Sequence, residues 1–167
     1  MAEDNQLLDS IERRLRERRY KVSRDIQLPG GALVDITASR TYFSWKGLVI
    51  LSQHVIIKRI DNATVADMKE LFDAGFRFGK KVNRVPLLRG LQFGYMILPV
   101  IVSREPKSEL IEYVSASPRK HWSLFEFPVV IDLSTGNVSY FRKTAAWGAF
   151  FFSDMRSVVS KYIEGKS

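Results

Sequence analysis

Two short stretches carry the residues whose types could do chemistry. The segment QHVIIKRI places Lys58 on a strongly β-prone run, and ALVDITAS places Asp35 in a neighbouring apolar segment. An aspartate and a lysine brought to one rim of a sheet could be half of a metal-dependent nuclease site. The place where a second carboxylate would stand holds Ile56. Each residue also has an ordinary reading. Asp35 suits a turn-proximal aspartate bonded to backbone, and Lys58 suits the solvated end of a strand before Asp61.

Other chemistries find less support. His54 and His121 are the only histidines, and there is no cysteine. That removes disulfides, thiolate nucleophiles and cysteine-based metal sites. No HExxH, Gly-x-Ser-x-Gly, Walker or Gly-x-Gly-x-x-Gly motif occurs.

The charge points outward, to a partner. The 167 residues carry a formal net charge of +8 and a pI of about 9.8, which favours polyanions such as DNA or RNA. Cations gather over Arg13–Arg24, Arg77–Arg89 and Arg119–Lys120. The residues expected to touch phosphates are Arg13, Arg16, Lys80, Lys81, Arg84, Arg119 and Lys120. Trp122, with Tyr20 and Phe78, is interleaved with these cations and suits base stacking. Each cluster equally suits the wet side of an element whose aromatics face inward.

The elements that must position these residues follow from periodicity. Leu7, Leu8, Ile11 and Leu15 predict an amphipathic helix over residues 6–20. Lys21–Leu28 and Ala32–Ser39 flank the turn Pro29-Gly30-Gly31 and read as a hairpin. The run from Gly47 to Ile60 reads as a strand covered on both faces, with a bend or break near Ser52–His54. Val65, Met68, Phe72 and Phe76 share a helical face, capped by Asn62 or Thr64, and Gly75 and Gly79 let that helix approach a sheet. Tyr95–Ser103 reads as a buried strand and Glu105–Ser117 as a short helix. A second hairpin turns at Ser134–Asn137 between Phe127–Leu133 and Val138–Thr144. An aromatic helix spans about 145–163. The whole is expected to be one domain of the α/β (α+β) class, with a mixed central sheet flanked by helices.

The order helix, hairpin, long strand, helix, strand over residues 6–103 resembles the PD-(D/E)xK, or restriction-endonuclease-like, superfamily. The C-terminal hairpin and helix would be additions to that core. The resemblance implies an aspartate on the second strand, a Glu-x-Lys or Asp-x-Lys on the third, and often an acid from the first helix. Here Asp35, Lys58 and Glu12 fit those catalytic places, with Asp35 and Glu12 as the metal ligands. In the family's chemistry two carboxylates hold Mg²⁺, the metal activates water, and the lysine stabilises developing charge. The chain departs from the pattern at Ile56, and Glu12 also suits an i,i+4 ion pair with Arg16.

The sequence therefore predicts a nucleic-acid-binding protein with a diverged, inactive nuclease-like core, acting as a homodimer. The alternatives are an active Mg²⁺-dependent nuclease and a protein-interaction or assembly module. The opening MAEDNQLLDSIERR does not read as a secretory signal. The apolar runs Tyr95–Val102 and Phe150–Phe152 fall short of the roughly 20 residues that span a bilayer. No membrane role and a cytoplasmic location are expected.

Overall fold

β-branched residues dominate the centre of the molecule. In the computed structural model, which describes residues 2–45, 48–83, 93–116, 118, 124–143 and 149–166, two such runs pair in parallel as β3 (Val49–Arg59) and β4 (Phe93–Ser103). Every residue of β4 is buried. β1 (Lys21–Gln27) and β2 (Leu33–Ser44) form the expected hairpin, and β2 pairs antiparallel with β3. On the far side of β4 lie β6 (Val129–Asp132), parallel to it, and β7 (Val138–Tyr140), antiparallel to β6. The sheet order is β1-β2-β3-β4-β6-β7, a mixed sheet.

Helices cover both faces. α1 (Ala2–Glu17) and α4 (Ala149–Val158), which continues as a π-helical turn over Val159–Ile163, sit over Ile36, Ala38, Val55 and Ile57. α2 (Val65–Val82) and α3 (Ser108–Ser115) sit over Ile56, Ile101 and Val130. Successive residues of β3 thus feed opposite cores, as strand alternation requires. Thr64 caps α2: its hydroxyl accepts from the Asp67 N–H, and the Asp67 carboxylate accepts the Thr64 N–H at 2.8 Å. Two glycines let α2 lie directly on β3. A β-carbon at Gly75 would come within 2.9 Å of Ile56, and one at Gly79 within 2.9 Å of the His54 ring.

The structure departs from the expected elements in several places, beginning with α1, which starts at Ala2 and ends at Glu17 rather than spanning 6–20. β3 runs unbroken through Ser52–His54, where each residue pairs with β2 on one side and β4 on the other. β2 extends to Ser44. The second hairpin is shorter at both strands, and a three-residue strand, β5 (Leu124–Glu126), pairs with β4 ahead of β6. Pro99, with no N–H to offer, continues β4 where its neighbour on that side breaks at Phe127–Pro128. The aromatic helix begins at Ala149, and Trp147 lies outside the described residues.

Candidate functional site

Asp35 and Lys58 do come to one cleft of about 300 Å³, which Asp25 and Arg59 also line. The path there differs from simple alternation. Asp25 adopts a left-handed backbone (φ 48°) opposite Asp35. Aspartate is among the few non-glycine residues that tolerate this region. On one side of this point Val22 and Ile36 pack beneath α1. On the other, Ile26 and Val34 pack with the α2 side. Val34 and Ile36, two residues apart on β2, therefore enter opposite cores where alternation would put them on one face: the pleat inverts at Asp25–Asp35.

Asp35 is already engaged. Its Oδ2 accepts the Arg59 backbone N–H at 2.8 Å, and its Oδ1 accepts Arg59 Nε at 2.7 Å. The Arg59 Nη2 lies 2.6 Å from the same oxygen. Arg59 Nη1 donates to Asn5 of α1 at 2.8 Å, so the carboxylate ties two strands and a helix together. Lys58 lines the cleft without an ion pair to it among the described residues. Ile56 is 0% exposed and belongs to the core under α2.

Glu12 lies elsewhere. It binds Arg16, at 2.7 Å, and Arg24 of β1. Burial alone would raise its pKa, but the two guanidinium groups outweigh that and hold the carboxyl below its ordinary range. The residues at the Asp35 rim do not suit Mg²⁺ as they stand. One carboxylate is occupied by a guanidinium, the Lys-2 position is an aliphatic core residue, and the helical acid is held by two arginines. The single addition is Asp25, an exposed carboxylate in the same cleft, which strand parity had no means of bringing beside Asp35. Asp35→Ala is expected to cost about 1–3 kcal/mol, the scale for orphaning hydrogen-bonding partners. Urea unfolding reads that loss, and an unchanged midpoint would contradict the bonding described.

The basic residues divide by location. Arg13 is exposed on α1, and Arg16 is exposed but paired with Glu12. Lys80 and Lys81 are exposed on the last turn of α2, where cations suit the helix dipole. Arg84, Arg119, Lys120, His121 and Trp122 lie outside the described residues. The end of α1 meets the chain's C-terminal segment in a cleft of about 290 Å³, lined by Arg14, Arg18, Lys161 and Lys166 against one acid, Glu17. Arg14 fixes the cleft by donating to the carbonyls of Tyr162 (2.8 Å) and Ile163 (3.1 Å). Tyr20 does not serve as a stacking surface: it is 4% exposed and its hydroxyl donates to buried Gln53. Phe78 lies edge-on against His54, 5.9 Å between ring centres.

A third cleft, of about 350 Å³, opens on the α2 face of β1–β3. Its floor is polar. His54 Nδ1 lies 2.8 Å from the Ser39 hydroxyl and Nε2 lies 2.9 Å from that of Ser52. Ser52 in turn reaches Thr41 at 3.3 Å. A neutral imidazole has one donor and one acceptor nitrogen, so one serine gives a hydrogen to the ring and the other receives one. Burial pushes the His54 pKa down to about 4, which keeps the ring neutral in the folded protein. In the sequence His54 is one of two histidines, with no ligand partner beside it; its serine partners sit on β2 and two residues back along β3, and the β2–β3 register, with Ser39 opposite His54, assembles them.

No family model, no curated protein and no solved structure matches this chain. No helix among the described residues is long and apolar enough to cross a membrane.

Proposed function

We propose that the chain is a cytoplasmic nucleic-acid-binding protein built on a diverged nuclease-like core that no longer cleaves. The observation that carries the reading is the cleft between α1 and the C-terminal segment, where Arg14, Arg18 and Lys161, with Lys166 paired to Glu164 at 3.2 Å, stand against the one lining acid Glu17 in a chain of net charge +8. Cations so clustered suit successive backbone phosphates, whose release of counterions drives association. The resemblance to the PD-(D/E)xK superfamily is supported by the element order helix, β1–β2 hairpin, β3, helix, parallel β4. The loss of cleavage is supported by Arg59 on Asp35 and by Ile56 in the core.

The test is a salt series on duplex DNA, duplex RNA and single strands. Affinity is expected to fall steeply with salt, with a log–log slope near −0.9 per phosphate neutralised on duplex DNA. Arg18→Glu with Lys161→Glu should weaken every polynucleotide roughly tenfold or more and flatten the slope by about 2. Absent or salt-insensitive binding would overturn the reading in favour of a protein-interaction module. Light scattering tests the homodimer, which a monomer mass at high concentration would remove.

One observation favours the second reading, an active nuclease: Asp25 shares the cleft with Asp35 and Lys58. That reading requires Mg²⁺-dependent cleavage lost in both Asp25→Ala and Asp35→Ala. A wild-type protein inert across divalent metals and substrate shapes excludes it.

A further inference from the structure

The polar cleft over β1–β3 shares no lining residue with the Asp35 rim or with the α1 cleft. Its composition is unusual for a sheet face beneath a helix. Thr37, Ser39 and Thr41 share one face of β2. Across from them stand Ser23 and Lys21 on β1, which pair with Thr37 and Ser39, and His54 and Ser52 on β3, which pair with Ser39 and Thr41. The polar row thus crosses three strands. A core would be filled there by aliphatic side chains, as it is one step further on at Ile56.

The same face leads to exposed aromatics. The next residue on this side of β2 after Thr41 is Phe43, which is 45% exposed and stacks edge-on against Trp45, with ring centres 4.8 Å apart. Trp45 is 80% exposed at the end of the hairpin. A tryptophan left so open forgoes the burial that normally stabilises so large an apolar surface. The last turn of α2 borders the cleft through Val82 and carries exposed Lys80 and Lys81. Lys21, at the cleft's other end, has no ion-pair partner among the described residues.

We propose that this cleft and the Phe43–Trp45 pair bind an unpaired nucleotide of a single strand. The hydroxyls of Ser23, Ser39 and Thr41, which are not fully buried, can both give and accept hydrogen bonds, which suits sugar hydroxyls and base edges, while the imidazole, with both nitrogens bonded to serines, holds Ser39 in place. The ammonium groups of Lys21, Lys80 and Lys81 suit the flanking phosphates. The aromatic pair offers a face to a base, and only an unpaired base has a free face to return. A volume of about 350 Å³ lies within the usual range of small-ligand sites, about 300–1,000 Å³. The ligand class rests on the nucleic-acid reading, but the place does not, since it shares no residue with the α1 cleft.

The experiment measures anisotropy of labelled oligothymidylate, oligouridylate and a blunt duplex. Trp45→Ala is expected to weaken the single strands roughly tenfold, the scale of one lost stacked base, and to leave the duplex unchanged. The substitution lies on an exposed residue and spares the fold. Thr41→Val, which removes a cleft hydroxyl at constant shape, should weaken the same strands, with circular dichroism verifying structure. If both variants hold single strands as wild type does, the proposal falls while the α1-cleft reading stands. If wild type binds no polynucleotide, the reading falls, and titration with uridine monophosphate decides the cleft. A shift of the His54 ring resonances on that titration, lost in Thr41→Val, assigns it to free nucleotide; no shift overturns it.

Discussion

Replacing Ile56 with glutamate, which would place a carboxylate two residues before Lys58, is expected to destabilise the protein by at least about 4 kcal/mol. Ile56 is fully buried. Its Cγ1 lies so close to Gly75 that a single added β-carbon there would come within 2.9 Å, so α2 leaves no room for a bulkier or hydrated group. An ionised carboxylate at this depth would have no cation beside it, because the surrounding cluster is Leu71, Ala74, Ile101 and Val130. Lifting α2 to admit water would expose that cluster. Either route costs at least about 4 kcal/mol, against a total stability of about 5–15 kcal/mol for an ordinary domain. Ile56→Val is the control, expected to cost about 1 kcal/mol. Urea unfolding monitored by circular dichroism compares them. A folded Ile56→Glu protein with a near wild-type midpoint would show that the helix does not pack as described. The consequence for function is that a carboxylate two residues before Lys58 can be accommodated only if the α2 interface is rebuilt as well.

Much of this architecture was legible because local signals agreed with the tertiary result. The valine- and isoleucine-rich runs became β3 and β4, the Pro-Gly-Gly turn closed the first hairpin, and Thr64 capped α2. Gly75 and Gly79 lie where a helix that hugs a sheet needs them. The ion pair of Glu12 with Arg16 followed from spacing alone, whereas Arg24, a strand away, did not. What escaped was set by contacts between distant residues. β5 has three residues and exists through its pairing with β4. The inversion at Asp25 comes from a left-handed aspartate, and periodicity assumes every residue of a strand is extended. Tyr20 turned inward because the chain reverses tightly after α1, with Arg19 at φ 62°, and its hydroxyl found Gln53. Trp45 stayed outside although its hydrophobicity gave no hint of it. The candidate site suffered most, since Asp35 and Lys58 were legible as neighbours and the guanidinium that occupies Asp35 was not.

His54 gives the second large effect, a loss of stability as pH falls. The folded-state pKa is about 4 and that of an unfolded histidine is about 6.5. The unfolded chain therefore takes up its proton first on acidification, and each unit between the two values favours unfolding by about 1.4 kcal/mol. The contribution is fully present above about pH 6.5 and is lost progressively as pH falls toward 4. The total is about 3 kcal/mol. Burial is the cause of the shift, and no anion compensates protonation among the described residues: the ring faces the hydroxyls of Ser39 and Ser52, the edge of Phe78 and the ring of Tyr95. A charged ring also has no acceptor nitrogen, so the hydroxyl chain from Ser39 through Ser52 to Thr41 must reorganise when it titrates. His54→Gln provides the comparison. Glu12 and Asp132, whose pKa values are held low by their partners, lose stability on acidification in both proteins and cancel in the difference. The unfolding free energy of wild type minus that of His54→Gln is expected to drop by about 3 kcal/mol from pH 7 to pH 4. A difference that stays flat over that interval would mean that the ring is hydrated or already charged, and the polar floor of the cleft would have to be redrawn around an imidazolium.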